Sequence, residues 1–306
     1  MITNLPRKDL FDLPEGVIYL DGNSLGPLPK AVAGRLTQTV QDEWGRQLIR
    51  AWDASGWMDQ PGRVGDRIAR IIGAAPGSVV PGDTLSIKVF QALSAALDMV
   101  PDRRVILSDS GNFPSDLYMA EGLIRLKDAG YTLKLVAPEA VEDAIDHTVA
   151  AVLLSEVDYR TGRRHPMANI TQRAHDAGAV MIWDLAHSAG AVELDLTASG
   201  CAFAVGCTYK YLNAGPGAPA FIYTRPDLIN TVTPALAGWL GHDTPFAFES
   251  TYRPAAGIER MRIGTPAVLQ MAALDAALDI WDEIDMGALQ AASIALSERF
   301  IAGVEA

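Results

Sequence analysis

Apolar positions along the chain switch between two periods. Leu36, Val40, Trp44 and Leu48 recur at helical spacing and predict a helix over 31–53. Further helices are predicted over 63–72 and 86–100. Short apolar runs then alternate with amphipathic stretches. The segments 104–108 (RVILS), 131–136, 148–154 (TVAAVLL), 179–183 (AVMIW), 203–207 and 220–223 read as strands, and 116–129 and 170–177 as helices. From about residue 266 the pattern is helical again, over 268–283 and 287–301. Residues 1–30 carry Pro and Gly throughout and read as an irregular arm. Strands alternating with helices predict an α/β domain with a mainly parallel sheet. Ligands of such sheets sit beyond the carboxyl ends of the strands.

Three predicted strand ends carry polar clusters. The first runs into DSGNFPSD (109–116), the second into Asp184-Leu-Ala-His187, and the third into Thr208-Tyr209-Lys210-Tyr211 and the glycine-rich NAGPGAP. Alone, Asp184 reads as a helix cap or turn residue, and Lys210 as a solvated lysine. Together and in this order they fit a pyridine aldehyde cofactor. A ring nitrogen stays protonated beside a buried carboxylate, which raises its pKa. A partly buried lysine beside other cations is nucleophilic enough to form an imine with the aldehyde. An anionic phosphate needs N–H groups at a helix start together with hydroxyl donors. The sequence offers Asp184 for the nitrogen, Lys210 for the imine, Ser86 at a predicted helix start for the phosphate, and Phe113 to stack on the ring.

Composition narrows the class. The 306 residues are 49% hydrophobic and 20% charged, ordinary for a globular chain, with a net charge of -12 that disfavours nucleic acid as partner. No run approaches the ~18 apolar residues of a membrane span, and MITNLPRKDLFDLPEG has no signal-peptide pattern. Cys201 and Cys207 lie in an apolar run and read as buried thiols, so a cytoplasmic location is expected. No metal site is expected. His147, His165, His175 and His242 read as surface or turn residues.

The motifs YLDGNSLGPLP (19–29), GNFPSD (111–116), YRTG (159–162), WDLAHSAGAVELDL (183–196), TYKYLNAGPG (208–217), GWLGHD (238–243) and RIGTP (262–266) occur in order along nearly the whole chain. In these the chain resembles the kynureninase family, within the aminotransferase-like superfamily of pyridoxal-phosphate enzymes. The resemblance implies an aminotransferase-like large domain with a mainly parallel seven-stranded sheet flanked by helices. It divides the chain into an N-terminal arm and helix (1–50), a pyridoxal-phosphate-binding domain (51–265) and the start of a helical connection to a C-terminal small domain (266–306).

It also implies roles. Lys210 would bind the cofactor covalently, Asp184 its ring nitrogen, and Phe113 its ring face. Leu85 and Ser86 would contact the phosphate region. Asp116, Ser155 and His187 would surround the ring hydroxyl and phosphate. Tyr209 would bind phosphate and move a proton, Trp239 and Thr265 would reach the phosphate across a homodimer interface, and Ser24 would lie near substrate. The implied reaction is hydrolytic Cβ–Cγ cleavage of L-kynurenine, or its 3-hydroxy form, to an anthranilate and L-alanine, in tryptophan catabolism and NAD biosynthesis. A cysteine desulfurase, an aminotransferase or a non-catalytic cofactor-binding fragment are the alternatives. The chain departs from the family in two respects. Lys88 stands where many relatives have asparagine, and the small domain with its carboxylate-binding arginine would follow Ala306 and is expected to be truncated here.

Overall fold

The computed structural model describes Leu5 and residues 7–306. The N-terminal arm is mostly irregular, with one two-residue pairing between β1 (Phe11–Asp12) and β2 (Leu28–Pro29). The helices are α1 (Lys30–Gln38), α2 (Ala51–Ala54), α3 (Gln60–Ile71), α4 (Leu85–Met99), α5 (Pro114–Lys127), α6 (Val141–Ala144), α7 (Met167–Asp176), α8 (Leu196–Ser199), α9 (Val268–Leu278) and α10 (Met286–Glu305). The strands of the main sheet are β3 (Val79–Pro81), β4 (Val105–Asp109), β5 (Thr132–Val136), β6 (Val149–Ser155), β7 (Val180–Asp184), β8 (Phe203–Gly206) and β9 (Phe221–Thr224).

Their order across the sheet is β3-β9-β8-β7-β6-β4-β5, and only β9 runs against the rest. The expected seven-stranded, mainly parallel sheet is therefore present. Successive strand residues point to opposite faces, and both faces are covered. Leu153 of β6 and Ile182 of β7 join Leu93 and Leu97 of α4 in one core. Val152, Leu154, Met181 and Trp183 join Ile170 and Ala174 of α7 in the other. Burial on both faces explains why these strands are continuous apolar runs rather than alternating ones. The three-residue β3, absent from the sequence expectation, is too short to carry a period.

The segment 31–53 is helical but not as its apolar spacing predicts. After α1 the helix widens to a π-helix over Thr39–Gln47 and tightens to a 3₁₀ turn at Leu48–Arg50. Val40, Trp44 and Leu48 face outward, with Trp44 57% exposed. The buried face is polar. Arg35 Nη1 donates to Thr39 Oγ1 and Glu43 Oε1, both at 2.6 Å, and Trp57 Nε1 donates to Glu43 Oε2 at 2.7 Å. A fully partnered carboxylate is a tolerable core residue, so the polar stripe is the one that turns inward. The helix expected over 268–283 ends at Leu278, where Asp275, Asp279 and Asp282 converge on Arg67. Among the described residues no helix is long and apolar enough to cross a membrane.

Candidate active site

Parallel register places the chemistry. Ser155 ends β6 opposite Asp184 at the end of β7, and Asp184 pairs with Val205 of β8, two residues before Cys207 and five before Lys210. The carboxyl ends of three neighbouring strands therefore bring Ser155, Asp184 and the Lys210 loop together, as the strand-end rule requires.

Lys210 is 8% exposed, and its Nζ lies 2.7 Å from His187 Nε2. The rings of Phe113 and Tyr209 both stand 5.8 Å from that nitrogen. Burial, with help from the Lys210 charge, pushes His187 down to about 4. The imidazole is thus neutral at pH 7 and accepts from the lysine. Its Nδ1 is buried with no partner. Asp184 is held by the Ala186 N–H at 2.9 Å on Oδ1 and by Ser155 Oγ at 3.2 Å on Oδ2. Burial outweighs these contacts and the Lys210 charge, and lifts Asp184 to about 6. Asp116, in the first turn of α5, is also buried, and its Oδ2 has no partner. Burial and the Asp184 charge hold it well above the usual carboxylate range, against the pull of Lys210. Burial, together with the nearby Cys207, pushes the Tyr209 hydroxyl up to about 12, so it carries its proton at neutral pH.

Leu85 and Ser86 open α4, whose first turn has no side-chain cap. Its leading N–H groups are available to an anion. Phe113 precedes the first residue of α5 and meets Tyr159 edge-on at 5.1 Å, and Tyr159 stacks on His187 at 6.4 Å. Tyr159 is an aromatic at the site to which the sequence reading gave no role. The N-terminal arm reaches the same place. The Gly26 N–H donates to the Tyr209 carbonyl at 2.8 Å, and a Cβ on Gly26 would sit 2.1 Å from the Lys210 carbonyl oxygen. Only glycine permits that approach, and it brings the exposed Ser24 to within two residues of the lysine loop. Asn112 was also missed: it is 4% exposed and bonded to Ser155.

Two of the expected residues lie elsewhere in the single chain. Trp239 packs edge-on against Phe246 at 5.9 Å. Thr265 lines a separate cleft with Lys88 and Arg262. Among the described residues no hydrogen bond or aromatic contact joins either to the Lys210 cluster. His165 is not a surface residue. It is 5% exposed, and its Nε2 lies 2.6 Å from Asp109 Oδ2. His242 is likewise buried, with its Nδ1 accepting the Thr244 N–H at 3.0 Å. His165 corrects the sequence reading, because a partner 56 residues away leaves no local signal, whereas His242 is a buried turn residue. Cys201 and Cys207 are buried, with burial raising their thiols to about 12 and about 11. Among the described residues no three His, Cys, Asp or Glu side chains group as a metal would need.

The cluster fits pyridoxal phosphate on its own terms. A buried carboxylate stands where a protonated ring nitrogen would offset its desolvation, and a buried lysine has one neutral partner. Two buried polar atoms, Asp116 Oδ2 and His187 Nδ1, lack the partners that buried groups require.

Comparison with known proteins agrees. The Aminotransferase class-V family model matches residues 93–306. Kynureninase of Pseudomonas fluorescens is 48% identical, the match covering 98% of this chain and 73% of the relative, and kynureninase of Burkholderia pseudomallei is 47% identical with the same coverage. Among solved structures, a cysteine desulfurase from Thermococcus onnurineus superposes with a TM-score of 0.80 at 20% identity, over 97% of this chain and 75% of its own. The cysteine desulfurase CsdA of Escherichia coli does so at 0.77 and 18%, over 94% and 73%. At that identity they show the fold alone. The chain spans about 73% of the length of these kynureninases, and it belongs to the kynureninase family, pyridoxal-phosphate-dependent hydrolases of carbon–carbon bonds within aminotransferase class-V.

Proposed function

We propose that this chain cleaves the Cβ–Cγ bond of L-kynurenine, or its 3-hydroxy form, with water, releasing an anthranilate and L-alanine. The observation that carries this reading is the burial of Lys210, Asp184 and Asp116 together at the ends of β6–β8 in a chain 48% identical to a kynureninase. When bound, pyridoxal phosphate supplies the electron sink for the carbon that loses its proton.

The protein's own groups do the rest. Asp184 would keep the ring nitrogen protonated, and Lys210 would hold the cofactor and, once the substrate amine has displaced it, take the α-proton. His187, neutral and 2.7 Å from Lys210 Nζ, accepts a hydrogen bond from the lysine and holds it in place. Phe113 fixes the ring tilt. Leu85 and Ser86 hold the phosphate at the start of α4, while Asp116, Ser155 and His187 meet the polar edge. Tyr209, protonated at neutral pH, donates to the alanine fragment, a general-acid contribution of about 10²–10⁴-fold. Ser24 stands on the substrate side, on the arm seated by Gly26. Trp239 and Thr265 serve a neighbouring subunit's phosphate, which makes the working unit a homodimer with two-fold interfaces. The division into 1–50, 51–265 and 266–306 belongs to the same reading.

A desulfurase reading needs an exposed, low-pKa cysteine, and both thiols lie in the core with raised pKa values. The test is purified chain loaded with pyridoxal phosphate and given kynurenine, with anthranilate fluorescence and alanine as readouts. Sulfide from cysteine, or amino transfer to a keto acid, with no anthranilate would replace this reading. Sedimentation at micromolar concentration tests the dimer, and an active monomer would rule it out.

A further inference from the structure

Beside Asp184 sits a hydroxyl with one proton and two acceptors. Ser155 Oγ is 2.8 Å from Asn112 Oδ1 and 3.2 Å from Asp184 Oδ2. A serine has one hydrogen to donate and lone pairs to accept with. The Asn112 amide cannot be turned round. Its Nδ2 donates to the Leu153 carbonyl at 3.2 Å and to Ser108 Oγ at 3.0 Å, while its Oδ1 accepts the Phe113 N–H at 2.7 Å. A carbonyl can only accept, so the NH₂ must face Leu153 and Oδ1 must face Ser155. Ser108 and Asn112 are 0% and 4% exposed, so both contacts are shielded from bulk solvent.

We propose that Asn112 is a positioning residue that competes with Asp184 for the single Ser155 proton and so sets how readily Asp184 ionises. With Asp184 protonated, its O–H donates to Ser155 Oγ and the serine proton goes to Asn112. With Asp184 ionised, Ser155 turns its proton to the carboxylate, and Asn112 Oδ1 keeps the Phe113 N–H. Every group in the relay is partnered in both states, which is what a buried network requires. Of the two groups bonded to Asp184, the Ala186 N–H only donates, so Ser155 alone can switch. The other charged or titratable groups that face Asp184 are Lys210, Cys207 and Tyr209 in the segment after β8, and Asp116 on α5. None of these is hydrogen-bonded to Asp184. The same Oδ1 fixes the backbone of Phe113, so one side chain ties the ring-face contact to the ring-nitrogen contact.

The purpose of the relay rests on the reading of Asp184 as the ring-nitrogen partner, but its existence can be measured without cofactor. The experiment is a carboxyl-carbon NMR titration of Asp184 in the cofactor-free chain, its signal assigned by its loss in Asp184→Asn. Asn112→Ala should lower the Asp184 pKa by about one pH unit, because a hydrogen bond to a charged group then belongs wholly to the carboxylate. Ser155→Ala should raise it by about as much. In the Ser155→Ala background, Asn112→Ala should do nothing. An equal displacement in both backgrounds would mean that Asn112 acts only through packing, and would overturn the proposal, as would an upward or absent shift in the single variant. If Asn112→Ala does not fold, Asn112→Ser removes Oδ1 while its hydroxyl can still donate to Leu153, and the same outcomes apply. The loaded protein separates the two readings. NMR coupling with a cofactor absorption spectrum indifferent to Asp184→Asn would keep the relay and remove Asp184 from the ring nitrogen.

Discussion

Two lysines lie buried in this molecule, and their surroundings differ. Lys88, on α4, is 1% exposed, and its Nζ has three acceptors: Gln91 Oε1 at 3.0 Å, Asp83 Oδ2 at 3.4 Å and the Met261 carbonyl at 3.4 Å. Lys210 is 8% exposed, and its Nζ bonds to one neutral imidazole nitrogen. An ammonium carries three N–H donors. The first lysine has a partner for each of the three, and the Met261 carbonyl among them ties α4 to the loop before Thr265. The second keeps two in a pocket where neighbouring carboxylate and imidazole atoms are also short of partners. Buried groups that the fold leaves incomplete are where a ligand belongs. Lys88 is structurally complete, so its charge is committed inside the protein.

The sharpest way to break this contrast is Lys210→Ala, which should abolish covalent cofactor attachment and lower turnover by about 10⁴-fold. Borohydride reduction and peptide mapping should place the label on Lys210 in the parent chain, and label on Lys88 would invert the comparison. Next in size is Asp184→Asn. It should slow α-proton loss by about 10³-fold while changing cofactor affinity much less, since the phosphate contacts persist; an unchanged single-turnover rate would remove the role. The same variant has a stability signature. Asp184 is lifted to about 6 by burial, against roughly 3.9 in an unfolded chain. Between those values the native state holds the extra proton, so cofactor-free stability falls as pH rises from about 4 to about 6 and stays lower above. Asp184→Asn should flatten that fall and raise stability at pH 7 by on the order of 2 kcal/mol, as urea unfolding can show.

Gly26→Ala tests whether the arm seats the reactive lysine. The new Cβ would meet the Lys210 carbonyl at 2.1 Å, and displacing that loop by about 1 Å should cost about 10²-fold in kcat. Full activity would show that the arm is not needed for geometry. The smallest effect is expected at the other lysine. Lys88→Met should leave the label on Lys210 and cost about 1–3 kcal/mol of stability at pH 7 by stranding its acceptors. Burial lowers Lys88 to about 8, below its unfolded value near 10.4. The native chain therefore sheds this proton first, and the parent should gain stability relative to Lys88→Met as pH rises from about 8 to about 10. Parallel curves would show that the ammonium is not desolvated as the structure has it.

What was legible in the sequence followed from short periods and strand-end position. The buried strands β4, β6 and β7 were visible as apolar runs because both sheet faces are covered. Asp184, at the end of one apolar run, and Lys210, in the loop a few residues after another, were visible through their order and combination near the sheet's carboxyl edge. Asn112 and His165 were not, since each depends on partners tens of residues away: Ser155 and Leu153 for one, Asp109 for the other. The stripe Val40, Trp44 and Leu48 was misleading, because a salt-bridged Glu43 made the polar face the better one to bury.

The sequence by itself determined the alternation of strands and helices, the positions of Asp184 and Lys210 near strand ends, and the family. All of these are set by local patterns of residue type, which survive in one dimension. Only the tertiary structure decided which of two buried lysines is free to react, that Ser155 has two claimants for one proton, and that Gly26 must be glycine. Those are questions of how many donors and acceptors are left over, and of how closely backbones approach, once distant segments have packed together. Nothing along the chain counts them until the sheet has closed its register.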